Sequence, residues 1–272
     1  MSIPSSGRGE DDTSTPRPAL PHPTAAFADP ELTATYAERA QRIVPGLADL
    51  HRMAMLLLRE RAAPVAHLLV VGAGGGLELK AMAAAQPGWT FTGVDPSAAM
   101  LDLARREVAP FTDRVAWVEG FIDDAPSALH DGAVCLLTLH FIERAERLRT
   151  LREIRRRLKP GAHLVIAHHG APAGDGERWL ARSVAFADRA RVDPEQARTS
   201  AAEMATRLAL LSEADEEAVL REAGFSEIAL FYAAFSFRGW VATAAPAEPA
   251  AGNPGPQAGE PPSSAPAAAS RR

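Results

Sequence analysis

The sequence predicts an α/β fold in which a seven-stranded, mostly parallel sheet carries helices on both faces and closes with one antiparallel C-terminal strand. Three observations support this prediction. Strand-like and helix-like segments alternate along the chain, a glycine-rich turn joins the first strand to a helix, and two strand-like runs joined by a short loop come last. Alternation of this kind places helices against a parallel sheet, and a closing hairpin adds an antiparallel strand.

A glycine-rich turn follows the first predicted strand. Residues 68–71 form a short apolar, partly β-branched run, which suits a strand buried on both faces. From Leu77 onward strong helix formers take over, until Pro87-Gly88 ends the helix. Glycines let a turn reach positive φ and let a ligand approach the backbone closely. They stand here at every second position: Gly72, Gly74 and Gly76.

The second predicted strand ends on an acid. Residues 89–94 are strand-like, and Asp95 follows them directly. A carboxylate in this place, about 20 residues after the glycine turn, can accept hydrogen bonds from two ribose hydroxyls. A dinucleotide fingerprint needs a further glycine where this chain has Leu77. The spacing therefore disfavours an NAD-dependent oxidoreductase and favours a nucleoside ligand that lacks a pyrophosphate.

The remaining segments continue the alternation. Capping residues mark two of the helix starts, Asp29 and Ser212, and Asp193-Pro194 begins another helical segment. Lys159-Pro160-Gly161 is predicted to be a turn that separates a charged helix from the fifth strand. Helices are predicted at 30–43, 47–61, 97–108, 143–158, in two segments within 176–210, and at 212–223. Further strands are predicted at 115–118, 131–138, 163–167, 228–232 and 237–243.

Composition divides the chain into one domain and two tails. Residues 1–26 and 245–272 are rich in Pro, Ser, Gly or Ala, and we predict that both are disordered. Residues 27–244 are predicted to form a single domain. The net charge of −5 provides no general attraction to nucleic acid or to an anionic membrane. No run approaches the ~18 uncharged apolar residues of a membrane span, so no membrane association is predicted.

A cytoplasmic location is predicted from two features. The chain has one cysteine, Cys135, which excludes an internal disulfide framework and fits a reducing compartment. Its N-terminal residues lack the apolar stretch of a signal peptide and carry acids at 10–12. Because Cys135 lies within an apolar run, we expect a buried thiol and not a nucleophile.

Residues 27–244 resemble a class I S-adenosylmethionine (SAM)-dependent methyltransferase, a family with a Rossmann-like sheet. The motifs that carry the resemblance are the glycine loop at 72–76, the segment 94–100 and the turn at 159–161. Within this class the chain resembles the branch of carboxy-S-adenosylmethionine synthase, which supplies a tRNA wobble-uridine modification. The segments similar to that branch are 42–46, 138–142, 223–225 and 230–237.

The resemblance implies SAM as the cofactor and assigns nine residues to it. The three glycines would wrap the methionyl part, and Asp95 would hold the ribose hydroxyls. Pro96 and Met100 would lie near the adenine, with Phe121 and Ile122 covering its other side. Thr138, at the end of the fourth strand, would face the sulfonium and the acceptor.

The chain departs from the family pattern at three positions of the cofactor site. Val70 stands where such enzymes usually carry an acid that binds the SAM amino group, and Glu78 is the nearest replacement. Phe121 occupies the position of the adenine-binding acid, for which Asp123 or Asp124 could substitute, and Leu136 replaces a polar residue. Where the carboxy-SAM branch has an arginine after the fifth strand, this chain has Ala201 or Ala202, with Arg198 and Arg207 nearby.

Three functions remain open at this point. The first is a SAM-dependent methyltransferase acting on an unidentified, small-molecule acceptor. The second is a carboxy-SAM synthase, which would form carboxy-SAM from SAM and prephenate. The third is a non-catalytic SAM-fold binding module, which the departures at Val70, Phe121 and Leu136 motivate. A homodimer is compatible with each of them.

No catalytic residue and no metal site are assigned from the sequence. His140 is placed to take a proton from an acceptor, although methyl transfer from a sulfonium often needs no base. His168 and His169 have no third ligand at a useful spacing. Eight basic residues between Arg144 and Lys159 could contact RNA phosphates, but an apolar stripe through this helix favours packing on the sheet. A nucleic-acid partner is therefore not favoured.

Overall fold

The computed structural model describes residues 35–170, 172, 174–189 and 193–246. Within these ranges strands and helices alternate as predicted. The strands are β1 (Ala66–Val71), β2 (Trp89–Asp95), β3 (Val115–Glu119), β4 (His130–Leu136), β5 (Leu158–His169), β6 (Phe225–Ala234) and β7 (Phe237–Ala244). The helices are α1 (Tyr36–Ile43), α2 (Leu47–Arg59), α3 (Leu77–Ala85), α4 (Ala98–Glu107), α5 (Arg144–Arg156), α6 (Gly176–Ala187), α7 (Pro194–Ala205) and α8 (Glu213–Glu222). None of these helices is long and apolar enough to cross a bilayer.

The seven strands form one sheet in the order β3-β2-β1-β4-β5-β7-β6. Strands β1 to β5 pair in parallel, whereas β7 is antiparallel to both β5 and β6. The predicted fold class, with one antiparallel C-terminal strand, is confirmed. The strand order reverses direction at β1, which has β2 on one side and β4 on the other. Ligands of open α/β sheets bind at such a switch point, beyond the carboxyl ends of the strands.

The central strand β1 is buried on both faces, as its apolar run predicts. Leu68 and Val70 belong to the core beneath α2 and α3, and both are fully buried. Leu69 and Val71 belong to the core on the opposite face, beneath α5 and α8. Alternate side chains of a strand point to opposite faces, so this one strand joins the two halves of the hydrophobic core.

Side-chain caps fix the start of three helices, two of them at residues identified from the sequence. Ser97 accepts a hydrogen bond from the backbone N–H of Met100 at 3.4 Å at the start of α4. Asp193 accepts from the N–H groups of Glu195 and Gln196 at the start of α7. Ser212 accepts from Asp215 N at the start of α8. Each cap satisfies an N–H group that the helix itself leaves unpaired.

The start of β5 and the end of β4 differ from the prediction, and each difference has a backbone cause. Lys159-Pro160-Gly161 does not precede β5 but lies within it, because the strand begins at Leu158. The pairing with β4 shifts between His130 and Gly132, so the turn residues form a bulge, where Gly161 takes a φ of +79°. Strand β4 ends at Leu136, two residues before the predicted end, because Leu137 has a left-handed φ of +57°.

Some predictions fall outside the described residues. They are the tail at 1–26, the greater part of the tail at 245–272, the helix start at Pro30 and its cap Asp29. The described part of that first helix runs from Tyr36 and ends at Ile43, as predicted.

Candidate active site

The glycine loop between β1 and α3 passes very close to its neighbours. Gly72, Gly75 and Gly76 have φ values of +74°, +86° and +70°, which favour glycine. A Cβ on Gly72 would collide with the Thr138 side chain. A Cβ on Gly74 would lie 2.7 Å from Asp95 Oδ2 and 2.8 Å from Met100 Cβ. At Gly72 and Gly74 the loop therefore fits between the end of β4 and the start of α4 only without a side chain.

Backbone hydrogen bonds hold this loop against the end of β2. The N–H groups of Gly72 and Ala73 both donate to Val94 O, at 2.9 and 3.0 Å, and Gly75 N donates to Met100 O at 3.2 Å. The sequence singled out the alternate glycines and missed Gly75. The structure explains why a glycine stands at this position. Gly75 has a positive φ, and a Cβ there would collide with the Tyr36 ring.

Asp95 links the two motifs of the site. Its Oδ2 accepts from Gly74 N at 3.0 Å, and its Oδ1 accepts from Ser97 N at 2.9 Å. Burial raises the pKa of Asp95, and the two backbone hydrogen bonds oppose that rise. Each carboxylate oxygen has a second lone pair, so Asp95 can also accept hydrogen bonds from a ligand in the cavity that it lines.

A cavity of about 520 Å³ opens at the carboxyl ends of β1, β2 and β4. Eight of the nine predicted cofactor residues line it: Gly72, Gly74, Asp95, Pro96, Met100, Phe121, Ile122 and Thr138. The ninth, Gly76, is not a wall residue. Its Cβ would lie 2.9 Å from Ala104 Cα, so this glycine allows α3 and α4 to approach closely. The structure thus brings the predicted residues together, and their contacts with the cofactor stay predictions.

The end of β4 has a backbone geometry that the sequence did not indicate. Leu137 takes its left-handed φ directly after the strand, and its N–H donates to Ala167 O at 2.6 Å. Thr138 Oγ1 then donates to Leu136 O at 3.0 Å, and all three residues line the cavity. Non-glycine residues with positive φ are uncommon and are found preferentially at ligand sites.

Residues of α1 and from the start of α5 also line the cavity, and the sequence did not assign them to the site. Tyr36 of α1 lines the cavity. Glu143, Glu146 and Arg149 contribute from the start of α5. Arg149 is the one basic wall residue in the described part of the chain, and it contacts Glu146 and Asp123, each at 2.5 Å.

Asp123 and Asp124 do not line the cavity, although the sequence offered either as a replacement for the adenine-binding acid. Asp123 forms an ion pair with Arg149. Asp124 Oδ2 accepts from the N–H of Phe121 at 2.8 Å and so fixes the short turn after β3. Phe121 itself is 44% exposed and lines the cavity.

His140, which follows β4, and His168 and His169, which end β5, are buried and do not line the cavity. The N–H of His169 donates to His140 Nδ1 at 3.2 Å, so the neutral His140 ring carries its proton on Nε2. Burial lowers the pKa of His140 well below its ordinary value, and the neighbouring His169 and His168 add to this. His140 is therefore neutral with its free lone pair already used, which argues against a role as general base.

His168 belongs to a buried ionic cluster with Arg147 and Glu216. Arg147 pairs with Glu216, and Arg147 Nη2 donates to Ala209 O at 2.6 Å. His168 Nε2 lies 3.2 Å from Glu216 Oε2. Burial alone would raise the pKa of Glu216, but His168 and Arg147 lower it to about 2. The cluster joins α5 and α8 to β5, and no group of three candidate metal ligands occurs in the described ranges.

Residues 69–164 match a family model described as a methyltransferase domain. Over this range the chain is similar to methyltransferase domains. The matched range runs from β1 into β5 and contains the glycine loop, Asp95 and Thr138. The predicted class of enzyme and the predicted cofactor, SAM, are confirmed at the level of this domain.

Two curated relatives of this methyltransferase domain are carboxy-S-adenosyl-L-methionine synthases. The protein from Aeromonas salmonicida is 29% identical over 145 residues, which cover 51% of this chain and 58% of that protein. The protein from Aeromonas hydrophila subsp. hydrophila is 27% identical over 235 residues, which cover 81% of this chain and 92% of that protein. The first match thus spans less than two thirds of the relative, and the second spans nearly all of it.

A solved structure shows the same fold. It is a SAM-dependent methyltransferase, possible histamine N-methyltransferase, from Thermotoga maritima. Its TM-score is 0.52 at 18% sequence identity, and the match covers 82% of this chain and 100% of that one.

Proposed function

We propose that this protein transfers the methyl group of SAM to a small-molecule acceptor. The observation that carries the proposal is the cavity that joins Asp95, the glycine loop and Thr138. A ribose fits the free lone pairs of Asp95, and an adenine fits between Met100 and the exposed face of Phe121. Gly72 and Gly74 line the cavity without a side chain, so a methionyl chain would lie against their backbone.

Thr138, whose side chain lies against Gly72, and Leu137 line the same cavity, and both would orient the acceptor. When bound, SAM supplies a methyl group on a positively charged sulfur, which a lone pair of the acceptor attacks in line. Positioning of the two reactants can supply about 7–11 kcal/mol of the barrier reduction in such a transfer. Catalysis by positioning needs no general base, which agrees with the hydrogen bond that already uses the free lone pair of His140. We propose that this chain catalyses the reaction mainly by orientation.

Carboxy-SAM synthesis is the second candidate, because both curated relatives carry that name. That reaction requires the protein to hold additional carboxylates. Arg149 already contacts two acids, and Arg198 pairs with Glu195 away from this cavity. Ala201, one of the two candidates for the branch's arginine position, is buried. These contacts favour methyl transfer, and an assay for carboxy-SAM from SAM and prephenate distinguishes the two.

A small molecule fits better than RNA as the acceptor. Three arginines of α5 and the next residue, Arg157, form ion pairs within the protein: Arg144 and Arg152 with Glu222, and Arg156 and Arg157 with Glu153. Ion-paired arginines attract phosphates less, since each phosphate contact competes with an acid already in place.

The cytoplasmic location also stays a proposal, supported by the single cysteine.

The test is mass spectrometry followed by a transfer assay. Small molecules released from the denatured, purified protein are identified first, and we expect SAM or S-adenosylhomocysteine. The protein is then incubated with methyl-labelled SAM and a panel of amines, phenols and carboxylates. Label in an acceptor, with an equal amount of S-adenosylhomocysteine, supports the proposal. Tight SAM binding without transfer to any acceptor would favour the non-catalytic binding module instead.

A further inference from the structure

A second cavity, of about 830 Å³, lies between α6 and α7, and among the described residues it shares no wall residue with the cavity beside Asp95. Its volume is in the range of ligand-binding cavities, about 300–1,000 Å³. Each helix contributes wall residues at the spacing of one helical face. Leu208 and Leu210 add apolar surface, and small side chains keep the space open at Ala181, Ala185, Ala197 and Ala205. The cavity therefore has room for the apolar body of a ligand.

Arg182 is a charged wall residue of this cavity that has no acidic partner. The two other arginines of the described wall are paired: Arg178 with Asp175 at 3.7 Å, and Arg198 with Glu195. Arg182 forms no ion pair with any residue that the structure describes, and it donates no hydrogen bond to one. A guanidinium group has five N–H donors and always carries its charge, so these donors are available to a ligand.

The ring of Trp179 holds the Arg182 guanidinium in place. Arg182 Cζ lies over this ring, 4.2 Å from its centroid, and Arg238 contacts the same ring at 5.4 Å. Arg238 is buried and fixed in its turn, because its Nε donates to Glu213 Oε1 at 2.6 Å. Stacking occupies the flat face of a guanidinium and leaves the N–H groups of its edge free. Such an edge forms paired hydrogen bonds with a carboxylate or a phosphate.

The charge of the wall agrees with an anionic ligand. Three arginines and two acids, Asp175 and Glu177, line the described part of the cavity, which gives it a net charge of +1. We infer that this cavity binds a small organic anion, with its carboxylate or phosphate on Arg182 and its apolar body against Leu208 and Leu210. The inference does not require SAM, because the cavity beside Asp95 is a separate one.

Fluorine NMR of the full chain labelled with 5-fluorotryptophan reports on this cavity. The chain has four tryptophans, of which Trp179 contacts Arg182, and Trp179→Phe assigns its resonance. The labelled protein is titrated with three ligands that have similar apolar bodies: 3-phenylpropionate, 2-phenylethyl phosphate and the neutral 3-phenylpropanamide. We expect the Trp179 resonance to shift saturably with an anion, which should bind about tenfold more tightly than the amide, because hydrogen bonds between charged groups are stronger. The tighter anion identifies the preferred acidic group.

Arg182→Met tests the arginine directly, because it keeps an apolar stem and removes the donors. In this variant the anions should bind no more tightly than the amide. Affinity for the amide should change by less than about twofold, which also shows that the cavity is intact. Arg207→Met is the matched control, since Arg207 is exposed, lies outside the wall and loses the same charge. This control should keep the preference for the anion.

Three results would overturn the inference. Equal affinity of the parent protein for the anions and the amide would show that the wall does not select charge. An equal loss in Arg182→Met and Arg207→Met would reduce the preference to general attraction by positive charge. Anion binding that leaves the Trp179 resonance unchanged, or that S-adenosylhomocysteine displaces, would place the ligand elsewhere. A chain that binds no SAM would contradict the proposed function and leave the outcome at Trp179 unaffected.

Discussion

The carboxylate of Asp95 accepts the backbone N–H of Gly74 at 3.0 Å, and this bond ties the end of β2 to the glycine loop. The second oxygen of the same carboxylate accepts from Ser97 N, at the start of α4. One acid thus fixes both the loop and the helix that border the cavity, while each of its oxygens keeps one lone pair for a ligand. The stability of the loop and the binding of SAM are therefore expected to depend on the same side chain.

Replacement of Asp95 by asparagine should destabilise the unliganded protein. The new amide NH₂ would face a backbone N–H that needs an acceptor, and leaving such a buried donor unpaired costs about 1–3 kcal/mol. The free energy of unfolding in urea measures this loss. Asp102→Asn is the control, because Asp102 is an exposed acid paired with Arg105 on the surface of α4. A loss of equal size in both variants would contradict the role of Asp95 in the loop.

Gly72→Ala should unfold or strongly destabilise the protein. The new Cβ must share space with the Thr138 side chain, and the residue must also hold a φ of +74°. Gly161→Ala separates the two effects, since Gly161 has a φ of +79° and its Cβ would meet nothing within 4 Å. The control should lose only the backbone contribution, on the order of 1–2 kcal/mol, whereas Gly72→Ala should lose several kcal/mol more. Thermal unfolding of both variants tests the close approach to Thr138.

Glu216→Gln should be strongly destabilising, because it leaves the buried charge of Arg147 without a partner. Removal of one member of a buried ion pair typically costs about 3–5 kcal/mol. Arg156→Met provides the comparison. Its side chain is 74% exposed and pairs with Glu153 on the surface, so we expect a loss below about 1 kcal/mol.

The sign of the pH dependence follows from the pKa of Glu216, which is lowered to about 2. The unfolded chain takes up the proton first, so the stabilising contribution is present above about pH 4.5 and is lost as pH falls toward 2. Urea titrations of the parent and of Glu216→Gln should therefore converge at low pH. A gap that stays constant from pH 7 to pH 3 would contradict this account.

Glu78 should show the opposite pH dependence in the unliganded protein. Because its pKa is raised to about 7, the folded state keeps a proton that the unfolded chain loses near pH 4.5. The free energy of unfolding therefore falls between pH 4.5 and 7, by up to about 3 kcal/mol. Glu78→Gln removes this decrease and should be more stable than the parent at pH 8 and similar at pH 4. The exposed substitution Glu60→Gln should leave the parent's profile unchanged.

The sequence predicted the parts of the site that depend on local pattern. The glycine loop needs residues without a Cβ, and an acid at the end of β2 follows the loop at a fixed distance, so Gly72, Gly74 and Asp95 could be identified. Caps such as Ser212 are equally local, because a side chain and its N–H partner are three residues apart.

Other features depend on contacts between distant segments and had no local signal. Tyr36 reaches the loop only through the packing of α1, and Arg149 reaches the cavity through α5. The left-handed Leu137 violates the ordinary preference of its residue type, so no pattern could predict it. The Lys159-Pro160-Gly161 segment resembles a turn, yet the pairing of β5 with β4 continues past it through a bulge.

The central claim is that the cavity beside Asp95 and the glycine loop binds SAM. A calorimetric titration of the full chain with SAM tests it most directly, together with the same titration of Asp95→Ala. The account predicts saturable binding at one site per chain and at least a tenfold loss of affinity in the variant. No binding to the parent protein, or equal affinity in the two proteins, would contradict it.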